Sequence, residues 1–512
     1  MMETTKNEQE AMHTLWDSTP DMTSSWSAKE SEEAKAERAA VCKKLAPPSL
    51  AFGLACTCLL YNNTASVAVP LFVLAAAAYM LSMMRQAGIA HTKRGTRFCL
   101  AVMLLLGVSD SLTDNACIIA CNNCGIVLVL LTALLHNYCD DSRWAPGTWF
   151  TAMLRCAAES TCCLNDAARD TLCWGRASSS KNRQLLYALA GAAASAPLLA
   201  VVIALLCSAD GRYAAQLGWL ADRLDAGAVK PILFFAASAL CAYCSTRFLW
   251  KRSIVYVVKE SRKLPSASVF TALTLFCTVY VSFACSQFTG DAGSTVHHAA
   301  CAREGFFQLL AVSAINVIVV QAMLRHAKDG AALRVLLGVF CACTYLMAAS
   351  AALRMLRYIS YYGALTFLRV LVLWTLAVLV LLLTGQLVQV FRRDFPLFRY
   401  GFTVVCLCYL AISFARPDYW IASYNLSHLA QGTESPLQAA ADLEQLARDT
   451  SCDAAPAFSR YGYLAVQDSR QDFNYGKLLS KKLEGKALTP RTWNFSRAQA
   501  RSLMDAAPGQ VH

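Results

Sequence analysis

The chain has 512 residues, of which 56% are apolar and 16% charged, with a mean hydropathy of +0.39. That balance excludes an ordinary soluble domain and points to an integral membrane protein. The net charge of +12 is carried by bases next to apolar runs rather than along one soluble face. The expected partner is therefore a lipid bilayer, not nucleic acid.

Residues 1–45 form a charged segment, rich in Glu, Ser, Thr and Met and disordered over about its first 34 residues. Glu30 to Lys44 then read as a charged helix leading to Pro47-Pro48. No apolar stretch with a small-residue cleavage site precedes the first apolar run, so that run is expected to be its own insertion signal.

Residues 46–416 read as an all-α, polytopic transmembrane helical bundle of about eleven spans, since a helix satisfies every backbone N–H and C=O within one segment. The spans lie at roughly 46–61, 66–84, 98–112, 116–136, 185–207, 231–250, 267–288, 305–324, 332–353, 366–391 and 398–415. The first and third are short. Each is followed by a tight polar turn (Asn62-Asn63-Thr64, and Asp110 to Asn115) and then a full-length span. This predicts two helical hairpins, with re-entrant segments as the alternative.

Counting bases loop by loop puts about 26 on one side and about 7 on the other. The N-terminus is therefore expected to be cytoplasmic, and an odd span count exports the C-terminal tail. The cytoplasmic loop 137–184 contains Trp144, Trp149, Phe150, Met153 and Leu154, which predict an interfacial helix. Ser178-Ser179-Ser180 reads as a linker.

Most of the 23 cysteines fall in spans or cytoplasmic loops, where Cys packs as a small hydrophobe. The pairs Cys121/Cys124 and Cys241/Cys244, with Cys117 on the first face, have no neighbouring His or acid on the same helix to complete a zinc tetrahedron. No metal and no cofactor are expected. Asp110 and Asp114 are oxygen donors suited to a cation, but they read more simply as part of a solvated turn. Asn316, Gln287 and Gln386 are intramembrane polar residues expected to make interhelical hydrogen bonds.

Residues 417–512 predict a small helical extracytoplasmic tail of near-neutral charge that docks on the bundle. Ser435-Pro436 is a cap and first-turn pair, and Leu437, Ala440, Leu443, Leu446 and Ala447 follow at helical spacing. A second helix is predicted from Ser496 to Met504. The tail has no glycine-rich phosphate loop and no nucleophile elbow. No catalytic constellation is recognised, and the chain leans toward not being an enzyme.

Several stretches carry a resemblance. They are Val279-Tyr280-Val281 with Gln287-Phe288; Ala302-Arg303-Glu304-Gly305-Phe306-Phe307-Gln308-Leu309 running to Ile315-Asn316; and Ser350-Ala351-Ala352-Leu353-Arg354-Met355 with Tyr358, Tyr362-Gly363, Leu365-Thr366 and Leu368-Arg369. Pro417-Asp418-Tyr419-Trp420-Ile421-Ala422 with Tyr424-Asn425 follows the spans. Together they resemble bacterial polytopic membrane proteins grouped only as a domain of unknown function, number 4173, to which 4153 is related. Ser423 departs from the pattern by standing where a base is expected. The resemblance implies a bacterial cytoplasmic-membrane protein with a short soluble tail, and it brings no activity with it.

Arg354, Arg357 and Arg369 fall on the base-poor side, where a translocated arginine snorkels, pairs or serves a site. Arg354 and Tyr358 lie near one helical face, and Arg369 follows the turn at Gly363. The candidate site is an outer-face cluster of Arg303, Glu304, Arg354, Tyr358 and Arg369. One reading is helix-end anchoring with Glu304 as counter-charge. The other is recognition of an anionic small molecule or lipid headgroup, for which planar guanidinium groups are suited. The function classes that follow are a transporter-like or lipid-handling bundle and, alternatively, a noncatalytic sensor or assembly factor.

Overall fold

The computed structural model describes residues 32–88, 93–138, 144, 146–178, 205–224, 229–250, 265–289, 295–326, 330–429, 436–461, 463 and 475–506, with scattered positions between 191 and 203. The described residues are helical with no strand. In chain order the helices are α1 (Glu32–Leu60), α2 (Ala68–Gln86), α3 (Arg94–Leu112), α4 (Ala116–Tyr138), α5 (Pro146–Ser178), α6 (Gly211–Leu224), α7 (Val229–Trp250), α8 (Ser266–Thr289) and α9 (Thr295–His326). They continue with α10 (Ala331–Tyr362), α11 (Phe367–Phe391), α12 (Leu397–Phe414), α13 (Pro417–Leu429), α14 (Pro436–Asp449), α15 (Ala455–Arg460), α16 (Tyr475–Leu483) and α17 (Phe495–Ala506).

Among the described residues, eight helices are long and apolar enough to cross a membrane: α2, α3, α4, α7, α9, α10, α11 and α12. The protein is a multi-pass α-helical membrane protein. The expected span 267–288 coincides with α8, whose apolar stretch is the shorter Ala267–Phe283. The expected span 185–207 and the linker serines 179 and 180 lie mostly outside the described residues. The charged helix and the first apolar run, read separately from the sequence, are one helix, α1, that continues through Pro47-Pro48. There the Ser49 hydroxyl donates to the Leu45 carbonyl at 2.8 Å, whereas the carbonyls that lose an N–H partner to the prolines are those of Lys43 and Lys44, one turn earlier.

The chain divides into two compact units, residues 1–53 with 159–251, and residues 54–158 with 252–512. In the first, Asp170 of α5 is completely buried. It accepts from Arg38 of α1 at 3.2 Å, and from Arg247 at 2.7 Å and Tyr243 at 3.0 Å, both of α7. One carboxylate thus ties three helices together, as a buried charge must be paired to persist.

In the second unit α2, α3 and α4 pack in sequence, α8 to α11 form a second group, and α12 packs on both α3 and α11. The close approach of α11 and α12 requires Gly385, where a Cβ would stand 2.3 Å from the Tyr400 ring. Tyr280 donates to Asn316 at 2.7 Å, and Asn316 donates to Thr344 at 3.1 Å, linking α8, α9 and α10. Gln386 donates to the Val317 carbonyl at 2.7 Å. Asn316 and Gln386 therefore make the interhelical bonds expected of them; the side chain of Gln287 lies outside the described residues. Trp149 of α5 packs on Phe398 and Phe402 of α12, leaving Phe150 and Leu154 exposed.

The tail has its own core, in which the Phe458 and Tyr475 rings stack 3.9 Å apart among Leu443, Ala447, Leu479 and Ala500. The two expected tail helices are α14 and α17. Lys482 of α16 donates to the Ala447 carbonyl at 2.5 Å and to that of Thr450, closing the C-terminal end of α14 with a cation, the sign the helix dipole favours there.

Candidate functional site

The polar residues of the second unit gather where the tail meets three helical turns. The first turn, between α2 and α1, is held by main-chain and side-chain bonds: Val67 N–H donates to the Trp493 carbonyl at 3.0 Å, Asn63 to the Arg491 carbonyl at 3.0 Å, and Arg491 to the Tyr61 carbonyl. The third turn, between α10 and α11, begins at Gly363, whose φ of +59° suits glycine. There Asn425 of α13 bonds both main-chain groups of Leu365, accepting at 2.6 Å and donating at 2.8 Å.

The second turn, Thr113-Asp114-Asn115 between α3 and α4, holds most of the charge. Asn115 caps α4, its Oδ1 accepting from Cys117 and Ile118 N–H. Its amide donates to both oxygens of Asp418, each at 3.0 Å, and Asp418 also accepts from Ser451 N–H at 2.9 Å. Asp453 accepts from the Thr113 hydroxyl at 2.5 Å and from Asp114 N–H at 3.2 Å, with Arg416 at 3.6 Å. Asp114 is met by Arg497 at 2.6 Å and Lys486 at 3.0 Å. Asn494 caps α17 through its oxygen, while its amide reaches the carbonyls of Thr113 (2.9 Å), Asp110 (3.1 Å) and Ala65 (3.3 Å).

Electrostatics differ residue by residue. Burial works against the Asp114 carboxylate, but the charges of Arg497 and Lys486 outweigh it and hold its pKa below the usual value. Asp453 is pushed up by burial despite its hydrogen bonds and Arg416. Burial, reinforced by Asp114, pushes the Cys452 thiol up to about 12, and burial lowers Lys482.

One helical turn before Asp114, Asp110 is completely buried. Its Oδ1 accepts from Asn122 of α4 at 2.8 Å, while its Oδ2 has no hydrogen-bond partner among the described residues. Asn122 in turn accepts from Tyr409 at 2.8 Å and Ser413 at 2.9 Å, both of α12, and the Ser109 hydroxyl lies 2.6 Å from that of Ser413. The solvated-turn reading of Asp110 and Asp114 is therefore overturned: both are buried, Asp114 beneath the tail's Lys486 and Arg497 and Asp110 against α4.

Of the outer-face cluster read from the sequence, the structure brings two members together. The Arg369 guanidinium lies 4.6 Å from the Tyr358 ring centroid and donates to the Ala364 carbonyl at the α10–α11 turn. Arg354 is half-buried on α10. Arg303 and Glu304 belong to α9, and their side chains lie outside the described residues. The sequence reading missed Asn115, Asp418, Asp453, Lys486, Asn494 and Arg497 as a set, because their pairing joins positions more than three hundred residues apart. A usable signal was Asn494, a capping residue type two positions before the predicted last helix and the residue before the observed one, Phe495–Ala506. Among the described residues no group of three or more His, Cys, Asp or Glu is placed to hold a metal ion.

Residues that carried the resemblance meet one another or the turns: Tyr280 with Asn316, Tyr358 with Arg369, Asp418 with Asn115, and Asn425 with Leu365. No curated protein and no solved structure matches the chain. A family profile does match, over residues 98–461, which takes in α3 through α15 and so most of the bundle with the first part of the tail. The chain belongs to the family described as Domain of unknown function (DUF4153).

Proposed function

We propose that this is a bacterial cell-membrane protein, akin also to domain of unknown function 4173, with a cytoplasmic N-terminus and an extracytoplasmic tail. It is a transporter-like or lipid-handling bundle whose outer face takes an anion or a lipid headgroup. The observation that carries the reading is Arg369, poised over Tyr358 at a turn that the tail holds through Asn425. A guanidinium fixed by a ring and a carbonyl retains further N–H donors for phosphate or carboxylate oxygens. As read from the sequence, the proposed site extends to Arg354 on the preceding helix and to Arg303 and Glu304. The fastening of three turns by one tail favours a second reading, a noncatalytic sensor or assembly factor whose tail reports on the bundle.

Binding to the full-length protein in nanodiscs tests the first reading. Phosphatidylglycerol should raise its melting temperature over phosphatidylcholine, and Arg369→Ala should remove that gain while leaving the phosphatidylcholine value near wild type. An equal response of wild type and Arg369→Ala to phosphatidylglycerol would contradict it.

A further inference from the structure

We propose that Asp110 is a proton-binding site, with one proton on Oδ2 in the conformation seen and a hydrogen-bonded seam from α4 and α12 holding the other oxygen. The argument rests on three geometric facts. Asp110 is completely buried, and no cationic side chain pairs with it among the described residues; the nearby bases Lys486 and Arg497 are engaged with Asp114. Its position is the last turn of α3, where the helix dipole is negative and disfavours a second negative charge. Among the described residues its Oδ2 has no hydrogen-bond partner, while Oδ1 is fixed by the Asn122 amide.

A buried carboxylate in such a place must neutralise or find a cation, because an isolated ion in a low-dielectric interior is strongly disfavoured. A proton needs one free oxygen, and one is present. An alkali or divalent cation needs about six oxygens, whereas the Asn122 oxygen is already taken by Tyr409 and Ser413.

The groups that face Asp110 are consistent with this. α4 contributes Asn122; α12 contributes Tyr409 and Ser413, with Tyr409 also neighbouring the thiols of Cys117 and Cys121. The tail contributes the Asn494 amide, spent on main-chain carbonyls, and α2 packs on this helix with Pro70 and Val73. Binding is a simple transfer: hydronium gives its proton to Oδ2, one O–H bond breaks, one forms, and the carboxylate becomes a neutral acid. Release leaves a charge that the helices do not answer, so loading and unloading favour different packings of α3 against α4 and α12.

Infrared difference spectroscopy on the full-length protein at neutral pH tests this. The carbonyl stretch of a protonated carboxylic acid should be present in wild type, lost in Asp110→Asn, displaced in Asp110→Glu and retained in Asp453→Asn, which controls for a second buried carboxyl group whose ionisation burial opposes. Retention of the full band in Asp110→Asn would overturn the proposal. Should that variant fail to fold, an unmoved band in Asp110→Glu would overturn it equally. Disappearance of the wild-type band on adding sodium at constant pH would also overturn it, in favour of a metal cation.

Discussion

Asp110 and Asp114 stand one helical turn apart, are both buried, and meet opposite surroundings. Asp114 lies in the turn itself and receives two cations from the tail, whereas Asp110 lies inside the bundle and receives one amide. The first belongs to a fastening, since paired charges hold two pieces of chain in register. The second belongs to a seam among helices, where an unanswered acid points to something that binds and leaves. At this boundary the two neighbouring carboxylates thus divide into a structural use, Asp114, and a functional one, Asp110.

The largest expected effect comes from breaking the fastening. Asp114→Ala leaves Lys486 and Arg497 without their counter-charge and should destabilise the protein by about 3 kcal/mol, the usual order for stripping one partner from a buried pair. Thermal unfolding of Asp114→Ala, Arg497→Ala and the double variant should show strong non-additivity. Additive losses would mean that the two groups do not act as a pair.

Inside the bundle, Gly385→Ala drives a methyl group into the Tyr400 ring. This overpacking should cost about 1–3 kcal/mol, and combining it with Tyr400→Val should recover part of the loss in the same unfolding measurement. Asn425→Ala removes both bonds to Leu365 and should cost about 1–2 kcal/mol. It should also weaken the phosphatidylglycerol response, because the turn beside Arg369 loses its support.

The pH response sharpens the contrast within the junction. Asp114 has a folded-state pKa below its ordinary value, so its stabilisation is present above the ordinary carboxylate range and is lost as pH falls through that lowered value. Asp453 has a raised folded-state pKa, so its ionised form costs stability above that value, and the cost is relieved as pH falls from the raised value toward about 4. Unfolding followed on acidification should therefore show a wild-type gain that Asp453→Asn lacks. A later loss should be absent from Asp114→Asn. The smallest effect is expected at the exposed pair Arg448–Glu444, where Glu444→Gln should change stability by less than about 0.5 kcal/mol.

Much of the bundle was legible because apolar runs of membrane length are local signals. α9 to α12 fall where the hydropathy places them, and Leu437 to Ala447 announced α14 by helical spacing. The tail's grip was not legible, since Asp114 is buried by Lys486 and Arg497, which contribute nothing to its local pattern. A turn written Thr113-Asp114-Asn115 looks solvated until its distant partners are placed on it. The continuity of α1 through Pro47-Pro48 was hidden for the opposite reason, because a strong local breaker is overridden by the helix on either side.

Side-specific thiol labelling of intact cells tests most directly the claim that the tail covers the base-poor turns on the outside. Native Cys452 and Cys42 are buried and report poorly, so cysteines placed at the exposed positions Ser502 and Ala36 serve as reporters against the wild-type background. A membrane-impermeant maleimide should add label to Ser502→Cys and none to Ala36→Cys until the cells are opened. Added label on Ala36→Cys with Ser502→Cys protected would contradict the account, placing the tail and the three turns it holds on the cytoplasmic side.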